Sequence, residues 1–174
     1  MQPPRSHSTA RRDVESLVTL PPFQTLLDTH AHDVHRFLVA TVGRVDADDC
    51  YQETWIAALR AYPRLRDACN LRGWLLTIAS RKAIDHIRAG RRAPVPIGAE
   101  PSTAAAHEDE HFFGDDELWT AVRELPGKQR AAVAMRYELD ADYALIARAM
   151  GTSVEAARRN VHEGLKRLRQ EVSR

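Results

Sequence analysis

The segment from residue 91 to residue 116 most constrains how this chain of 174 residues can fold. It reads RRAPVPIGAEPSTAAAHEDEHFFGDD, which combines three prolines, small residues and an acidic run. This composition is typical of a linker, and no apolar periodicity continues through it. On both sides apolar residues recur at the spacing of a helix. We therefore predict an all-α protein with two small helical domains joined by a flexible linker.

The charges divide along similar boundaries. Residues 22–92 carry 11 Lys and Arg against 8 Asp and Glu, and residues 118–174 carry 11 against 7. Residues 93–117 carry no Lys or Arg and 7 Asp and Glu. The net charge of +1 conceals this division. Two basic blocks around an acidic connector indicate that the basic blocks contact a polyanion.

Several classes of protein are disfavoured at this stage. No apolar run has the length of a membrane span, and the N-terminus lacks the apolar core of a secretory signal. We expect a cytoplasmic protein without membrane insertion. Cys50 and Cys69 match no metal-ligand spacing and are too few for a disulfide framework. We therefore expect no cofactor and no metal.

The first block predicts three helices. The first carries an apolar stripe at helical intervals, formed by Phe23, Leu26, Leu27, Val34, Phe37, Leu38 and Val42. The second starts near the acidic cluster at 46–49 and ends at Pro63. Asn70 is positioned to cap the third. The apolar side of that helix comprises Leu71, Trp74, Leu75, Ile78, Ala79 and Ile87, and its opposite side carries Arg72, Arg81, Lys82 and Arg88.

The second block contains a helix-turn-helix pattern between residues 143 and 169. Gly151 supplies the left-handed residue of the turn, and Thr152 with Glu155 forms a capping box for the last helix. Ala157 and Val161 are predicted to face inward. The groove side then comprises Glu155, Ala156, Arg158, Arg159 and His162, with Lys166, Arg167 and Arg169 extending the positive charge towards phosphates.

Three segments resemble one family. Residues 46–55, DADDCYQETW, resemble the core-binding segment of extracytoplasmic-function sigma factors of bacterial RNA polymerase. Residues 74–88, WLLTIASRKAIDHIR, are similar to the promoter-melting helix of that family, and residues 125–137, LPGKQRAAVAMRY, to the start of its C-terminal DNA-binding domain. The resemblance implies an N-terminal tail at 1–21, sigma region two at 22–92, an acidic linker at 93–116 and sigma region four at 117–174.

The resemblance implies an alternative sigma factor, which directs core RNA polymerase to specific promoters, assists DNA melting and catalyses nothing itself. Asp49, Gln52 and Glu53 match the positions that contact the largest subunits of the core enzyme. Candidates for binding the minus-ten element and holding the separated strand are Arg72, Arg81, Lys82 and Arg88. Candidates for reading the minus-thirty-five element are Glu155, Ala156, Arg158, Arg159, His162 and Lys166. An anti-sigma factor is a further implied partner.

Some features depart from the family pattern or leave alternatives open. The usual Thr-Val-Lys-Ser-Arg-Leu core of the recognition helix is AARRNV at 156–161, and Glu163 stands where a basic residue is common. Trp74 could stack on an unpaired base, although its place on the apolar stripe favours a core role. Trp55 is similarly ambiguous.

Two other functions compete with the sigma factor. A conventional helix-turn-helix regulator, which acts without core polymerase, would explain residues 127–171 but not residues 46–55. Residues 107–111, HEDEH, match the HExxH pattern of zinc proteases, with Glu108 as the base. Their acidic, proline-flanked context disfavours that enzyme. Finally, His30, His32 and His35 cluster on the first helix, where solvated histidines are favoured over a site.

Overall fold

The computed structural model describes residues 20–90 and 116–172. Within these two ranges the backbone forms helices and no strand, which confirms the all-α prediction. The helices are α1 Phe23–Val42, α2 Arg44–Ala61, α3 Leu71–Gly90, α4 Asp116–Glu124, α5 Gly127–Glu138, α6 Tyr143–Met150 and α7 Val154–Val172, with a short 3-10 helix at Tyr62–Arg64. The tail, most of the predicted linker and the HEDEH motif lie outside the described residues.

Helices α1 to α3 pack on one another and form the N-terminal unit. Phe37 and Leu38 of α1 and Leu75 and Ala79 of α3 are fully buried there. Asn70 caps α3 as predicted, because its Oδ1 accepts a hydrogen bond of 2.7 Å from the backbone N–H of Gly73. The predicted apolar stripes therefore become the faces on which these helices meet.

Helices α4 to α7 form the C-terminal unit, which contains the predicted helix-turn-helix in α6 and α7. Asp142 caps α6, and Gly151 ends it in the left-handed conformation (φ 60°, ψ 44°). The predicted cap of α7 was wrong by one residue. Ser153 caps this helix instead of Thr152, because the Ser153 Oγ accepts from the backbone N–H of Ala156 at 3.2 Å.

The two units also pack against each other. Helix α1 contacts α4 and α5, and α3 contacts α5 and α6. One continuous cluster of buried apolar residues includes members of both units. Ile87, predicted on the buried side of α3, lies beside Gly127 at the start of α5. None of the helices in the described ranges is both long and apolar enough to cross a bilayer.

Candidate polymerase and promoter contact surfaces

Helix α2 presents the three residues predicted to contact core polymerase. Asp49, Gln52 and Glu53 are all exposed, on the side away from the buried Ala47, Cys50 and Thr54 of the same helix. The carboxylate of Glu53 accepts a hydrogen bond of 2.8 Å from Lys82 of α3. This hydrogen bond and the positive charge of Lys82 lower the pKa of Glu53. Glu53 therefore stays ionised, and it links the predicted polymerase surface to the predicted promoter helix.

The same face of α2 carries apolar residues that the sequence analysis did not select. Val45, Ile56 and Leu59 expose 69%, 49% and 55% of their surface. With Asp49 and Gln52 they follow one another at intervals of three and four residues, so all five share one stripe of the helix. This spacing was available in the sequence and could have identified them. We call these five residues the α2 surface.

The four basic residues of α3 have different surroundings. Arg81 and Arg88 are exposed, although Arg88 lies 3.8 Å from Asp85. Lys82 donates a hydrogen bond to Glu53 of α2. Arg72 points towards the C-terminal unit. The structure therefore brings only Arg81 and Arg88 together on an open face of this helix.

Arg72 is held on two sides. Its Nε donates to Asp33 Oδ2 at 2.7 Å, and its Nη2 donates to the backbone oxygen of Leu139 at 3.0 Å. In this arrangement its guanidinium is occupied by protein groups.

Both ambiguous tryptophans lie in or against the core. Trp55 is only 7% exposed and packs edge-on against Phe23, with ring centroids 5.9 Å apart. Trp74 is partly buried, and its ring lies 6.0 Å from that of Tyr62. A packing role therefore accounts for both side chains in this structure.

Helix α7, the predicted recognition helix, has the expected inner and outer faces. Ala157 and Val161 are buried, at 0% and 2% exposure. The outer face is polar and mostly exposed, and it comprises Glu155, Ala156, Arg158, Arg159, His162 and Lys166, with only Ala156 partly covered. Glu163 is exposed beside them. A hydrogen bond to its own backbone N–H, another to the Ser153 side chain and the positive charges of Arg158 and Arg159 lower the pKa of Glu155. A carboxylate thus lies among the cations of this face.

Tyr143, at the first turn of α6, was not selected from the sequence, but its ring contacts one of the residues predicted to read DNA. The Arg158 guanidinium lies 5.4 Å from the centre of its ring, and Arg136 lies at the same distance. Arg136 is fixed by donating to the backbone oxygen of Ala141 at 3.1 Å. Guanidinium groups are attracted to the face of an aromatic ring. Tyr143 therefore restricts where Arg158 can point.

Replacing Tyr143 with leucine is expected to reduce open-complex formation by the holoenzyme about two- to fivefold, because a cation–π contact of about 0.5–1 kcal/mol is lost. The preference for particular bases in the minus-thirty-five element should relax as well. Tyr143→Phe keeps the ring and should behave like the parent. Transcription from a library randomised in this element measures both effects. An equal loss in the phenylalanine variant would show that the hydroxyl matters instead of the ring.

The histidines and cysteines form small, separate contacts. His35 lies 3.5 Å from Asp48, and His86 lies 3.2 Å from Asp46. Across the described ranges, no group of three or more His, Cys, Asp or Glu residues is arranged to hold a metal ion. Both cysteines are free thiols. Burial raises the pKa of Cys50 to about 11, and hydrogen bonding to Asp67 raises that of Cys69, so neither is a ready thiolate.

Comparison with known proteins identifies a family for both parts of the chain. The family model for Sigma-70 region 2 matches residues 26–93, and that for Sigma-70 region 4 matches residues 115–168. The chain is 35% identical over 133 residues to the ECF RNA polymerase sigma factor SigC of Mycobacterium tuberculosis, covering 74% of this chain and 71% of the relative. It is 32% identical over 160 residues to SigD of the same organism, with coverages of 84% and 75%.

A solved structure shares the fold. It is the sigma factor RpoE of Bartonella quintana, in complex with the anti-sigma factor NepR. The TM-score is 0.70 at 20% identity, over 87% of this chain and 96% of the other. Both sigma regions, their order along the chain and the extent of the matches to curated relatives lead to one conclusion: this chain belongs to the extracytoplasmic-function group of RNA polymerase sigma factors.

Proposed function

We propose that this sigma factor directs core RNA polymerase to specific promoters through three surfaces, on α2, α3 and α7. The α2 surface binds the largest subunits of the core enzyme. Helix α3 holds the minus-ten element, and α7 reads the minus-thirty-five element. The protein supplies specificity and no catalysis of its own, and it acts with polymerase in the cytoplasm. The observation that carries the proposal is the exposed α2 surface on the same chain as a basic recognition helix.

The composition of the α2 surface supports a role in binding a protein. Isolated apolar residues are common on surfaces, but here Val45, Ile56 and Leu59 follow the same stripe as Asp49 and Gln52. Stable interfaces combine an apolar centre with polar groups that set orientation. A partner helix that packs along α2 would cover the three apolar side chains. It would also contact the Asp49 carboxylate and the Gln52 amide, which lie between them.

The composition of α3 and α7 supports binding to DNA. Arg81 and Arg88 offer exposed cations beside a three-helix core, as a single strand requires. Arg158 and Arg159 lie on the outer face of α7, where an arginine can pair with guanine in the major groove. Lys166 lies two turns further along and is positioned for a phosphate. Glu155 and Glu163 would favour donors on the bases, such as the cytosine amino group.

A conventional helix-turn-helix regulator remains the second candidate from sequence, but membership of the sigma family disfavours it. An anti-sigma factor is a further partner that we propose. The related sigma factor RpoE was solved in complex with such a protein, the anti-sigma factor NepR. An anti-sigma factor that binds this chain would be expected to cover the α2, α3 and α7 surfaces.

The proposal is tested by promoter-directed transcription with purified bacterial core polymerase, with and without this protein. Genomic start sites that appear only on its addition are expected. Gln52→Ala should weaken core binding about tenfold, as expected for an interface residue worth more than 1 kcal/mol. Gln52 is a cleaner probe than Glu53, whose removal would also release Lys82.

Gln24→Ala is the matched control, because Gln24 is an exposed glutamine on α1 that donates a hydrogen bond to Asp28 of the same helix. It should bind core polymerase like the parent. If the protein bound a defined duplex alone and never associated with core polymerase, the conventional regulator would replace the present proposal. Equal effects of the two glutamine variants would argue against the α2 surface.

A further inference from the structure

Helix α7 approaches α5 closely at Gly164, a buried residue in the interior of α7. A Cβ atom built there would lie 2.7 Å from Val133 Cγ2, 3.5 Å from Leu125 Cδ1 and 3.6 Å from Gln129 Cβ. Carbon atoms that are not bonded to each other pack best at about 3.5–4.0 Å. The contact with Val133 would therefore be too short by roughly 1 Å, and a hydrogen atom is all that fits. We call Leu125, Gln129 and Val133 the Gly164 socket.

The Gly164 socket has little freedom to move aside. Val133 and Leu125 are only 3% and 4% exposed. A β-branched side chain within a helix has one strongly preferred rotamer, so Val133 cannot turn its Cγ2 atom away at low cost. The backbone of Leu125 is held as well, because its carbonyl oxygen accepts hydrogen bonds of 3.1 Å and 3.3 Å from the Arg130 guanidinium. A side chain at residue 164 would therefore displace α7.

Gly164 lies on the inner face of α7, behind the predicted base-reading residues. It follows Val161 by three residues and precedes Leu168 by four, so it shares one side of the helix with these two buried residues. Arg158 and Arg159 lie five to six residues earlier on the outer face, about 7.5–9 Å away along the axis. A displacement of about 1 Å at Gly164 would tilt α7 and carry both guanidinium groups with it.

Such a displacement affects base recognition and phosphate attraction differently. Hydrogen bonds to base edges require donor–acceptor distances of about 2.7–3.2 Å, so a shift of about 1 Å breaks them. Coulomb attraction to a phosphate falls off gradually with distance and would change little. The orientation of α7 should therefore determine which bases are preferred, while the number of basic residues determines the overall attraction to DNA.

We propose that Gly164 is a positioning residue for promoter recognition, which sets the orientation of α7 on α5 and so places Arg158 and Arg159 to read the minus-thirty-five element. This inference rests on the proposed promoter-binding function. Glycine within a helix is less stable than alanine, because it loses more conformational freedom on folding. At a site with free space Gly→Ala is therefore stabilising. Helix propensity and the Gly164 socket thus predict opposite effects for Gly164→Ala.

The test uses the full-length protein in the holoenzyme. Open-complex formation is measured on a promoter with an intact minus-thirty-five element and on one in which this element is scrambled. Gly164→Ala should reduce the ratio of the two about tenfold, which is the discrimination that one base contact supplies. The slope of log affinity against log salt should stay as in the parent, since every basic residue is retained. A general loss of folded protein would lower both signals equally and leave the ratio unchanged.

Val133→Ala provides the matched rescue, because it removes the Cγ2 atom that the new methyl group would meet. The double variant Gly164→Ala with Val133→Ala should recover discrimination to within about threefold of the parent. Val133→Ala alone should discriminate as the parent does, since it introduces no overlap. A Gly164→Ala protein with the parent's discrimination, or a double variant no better than Gly164→Ala, would overturn the proposal.

Urea unfolding gives a second measurement that does not depend on DNA. Gly164→Ala should lower the midpoint concentration of urea, whereas Gly90→Ala should not, because a Cβ atom built on Gly90 meets nothing within 4 Å. A Gly164→Ala protein that is more stable than the parent, or one without helical circular dichroism before urea is added, would contradict a folded but displaced α7. Failure of the parent to discriminate between the two promoters would instead refute the proposed role of α7, and the difference between the two glycine variants would stand by itself.

Discussion

Replacing Phe37 with alanine is expected to lower the free energy of unfolding by about 3–5 kcal/mol, the range found for removing a buried aromatic ring. Phe37 is fully buried in the middle of α1, within the apolar cluster that includes residues from both units. Domains of this size have about 5–15 kcal/mol of stability in total, so the loss is a large fraction. This loss is measured by urea unfolding monitored by circular dichroism. It appears as a lower midpoint concentration of urea with an unchanged m-value.

Two further variants serve as controls for the loss of stability in Phe37→Ala. Phe37→Leu keeps most of the apolar volume and should cost less than about 2 kcal/mol, because it leaves a smaller cavity. Val45→Ala removes an exposed side chain from α2, and its effect should be within about 0.5 kcal/mol. A Phe37→Ala protein as stable as the Val45→Ala protein would contradict the placement of α1 in the core.

The features that the sequence predicted well are local ones. The Asn70 cap, the left-handed Gly151 and the inward-facing Ala157 depend on residue type and on spacing within one or two turns. The cap of α7 was misplaced by one residue, because Thr152 and Ser153 are adjacent hydroxyl residues and both can cap a helix. Such patterns determine which elements form and which faces they bury.

The contacts between the units could not be predicted in this way. Arg36 and Glu138 are ordinary charged residues on helical surfaces, and their pairing depends on how the two units are oriented relative to each other. The surroundings of Arg72, predicted to bind the minus-ten element, could not be predicted from sequence for the same reason. Sequence alone placed it on a basic face for DNA, whereas its partners Asp33 and Leu139 come from α1 and from the end of α5. Only the packing of all three segments shows that binding DNA and contacting Asp33 and Leu139 compete for the same guanidinium group.

Replacing Arg158 and Arg159 together with alanine is expected to reduce minus-thirty-five-dependent open-complex formation by a hundredfold or more. An arginine that pairs with a base contributes about 1–3 kcal/mol, and two independent contacts of about 1.4 kcal/mol correspond to a factor of roughly 100. Both side chains are exposed on the outer face of α7, opposite the buried Ala157 and Val161. The measurement is open-complex formation by the holoenzyme on promoters with an intact or scrambled minus-thirty-five element.

Lys166→Ala distinguishes base recognition from phosphate binding on the same helix. Removing one phosphate contact should weaken binding by similar factors on intact and scrambled promoters, and should reduce the slope of log affinity against log salt by about one. The double arginine variant should instead remove the difference between the two promoters. Gln170→Ala, a change at an exposed position near the end of α7, should alter neither quantity. If the double arginine variant still discriminated the scrambled promoter as the parent does, base recognition would lie elsewhere on α7, with Glu155 and His162 as the next residues to replace.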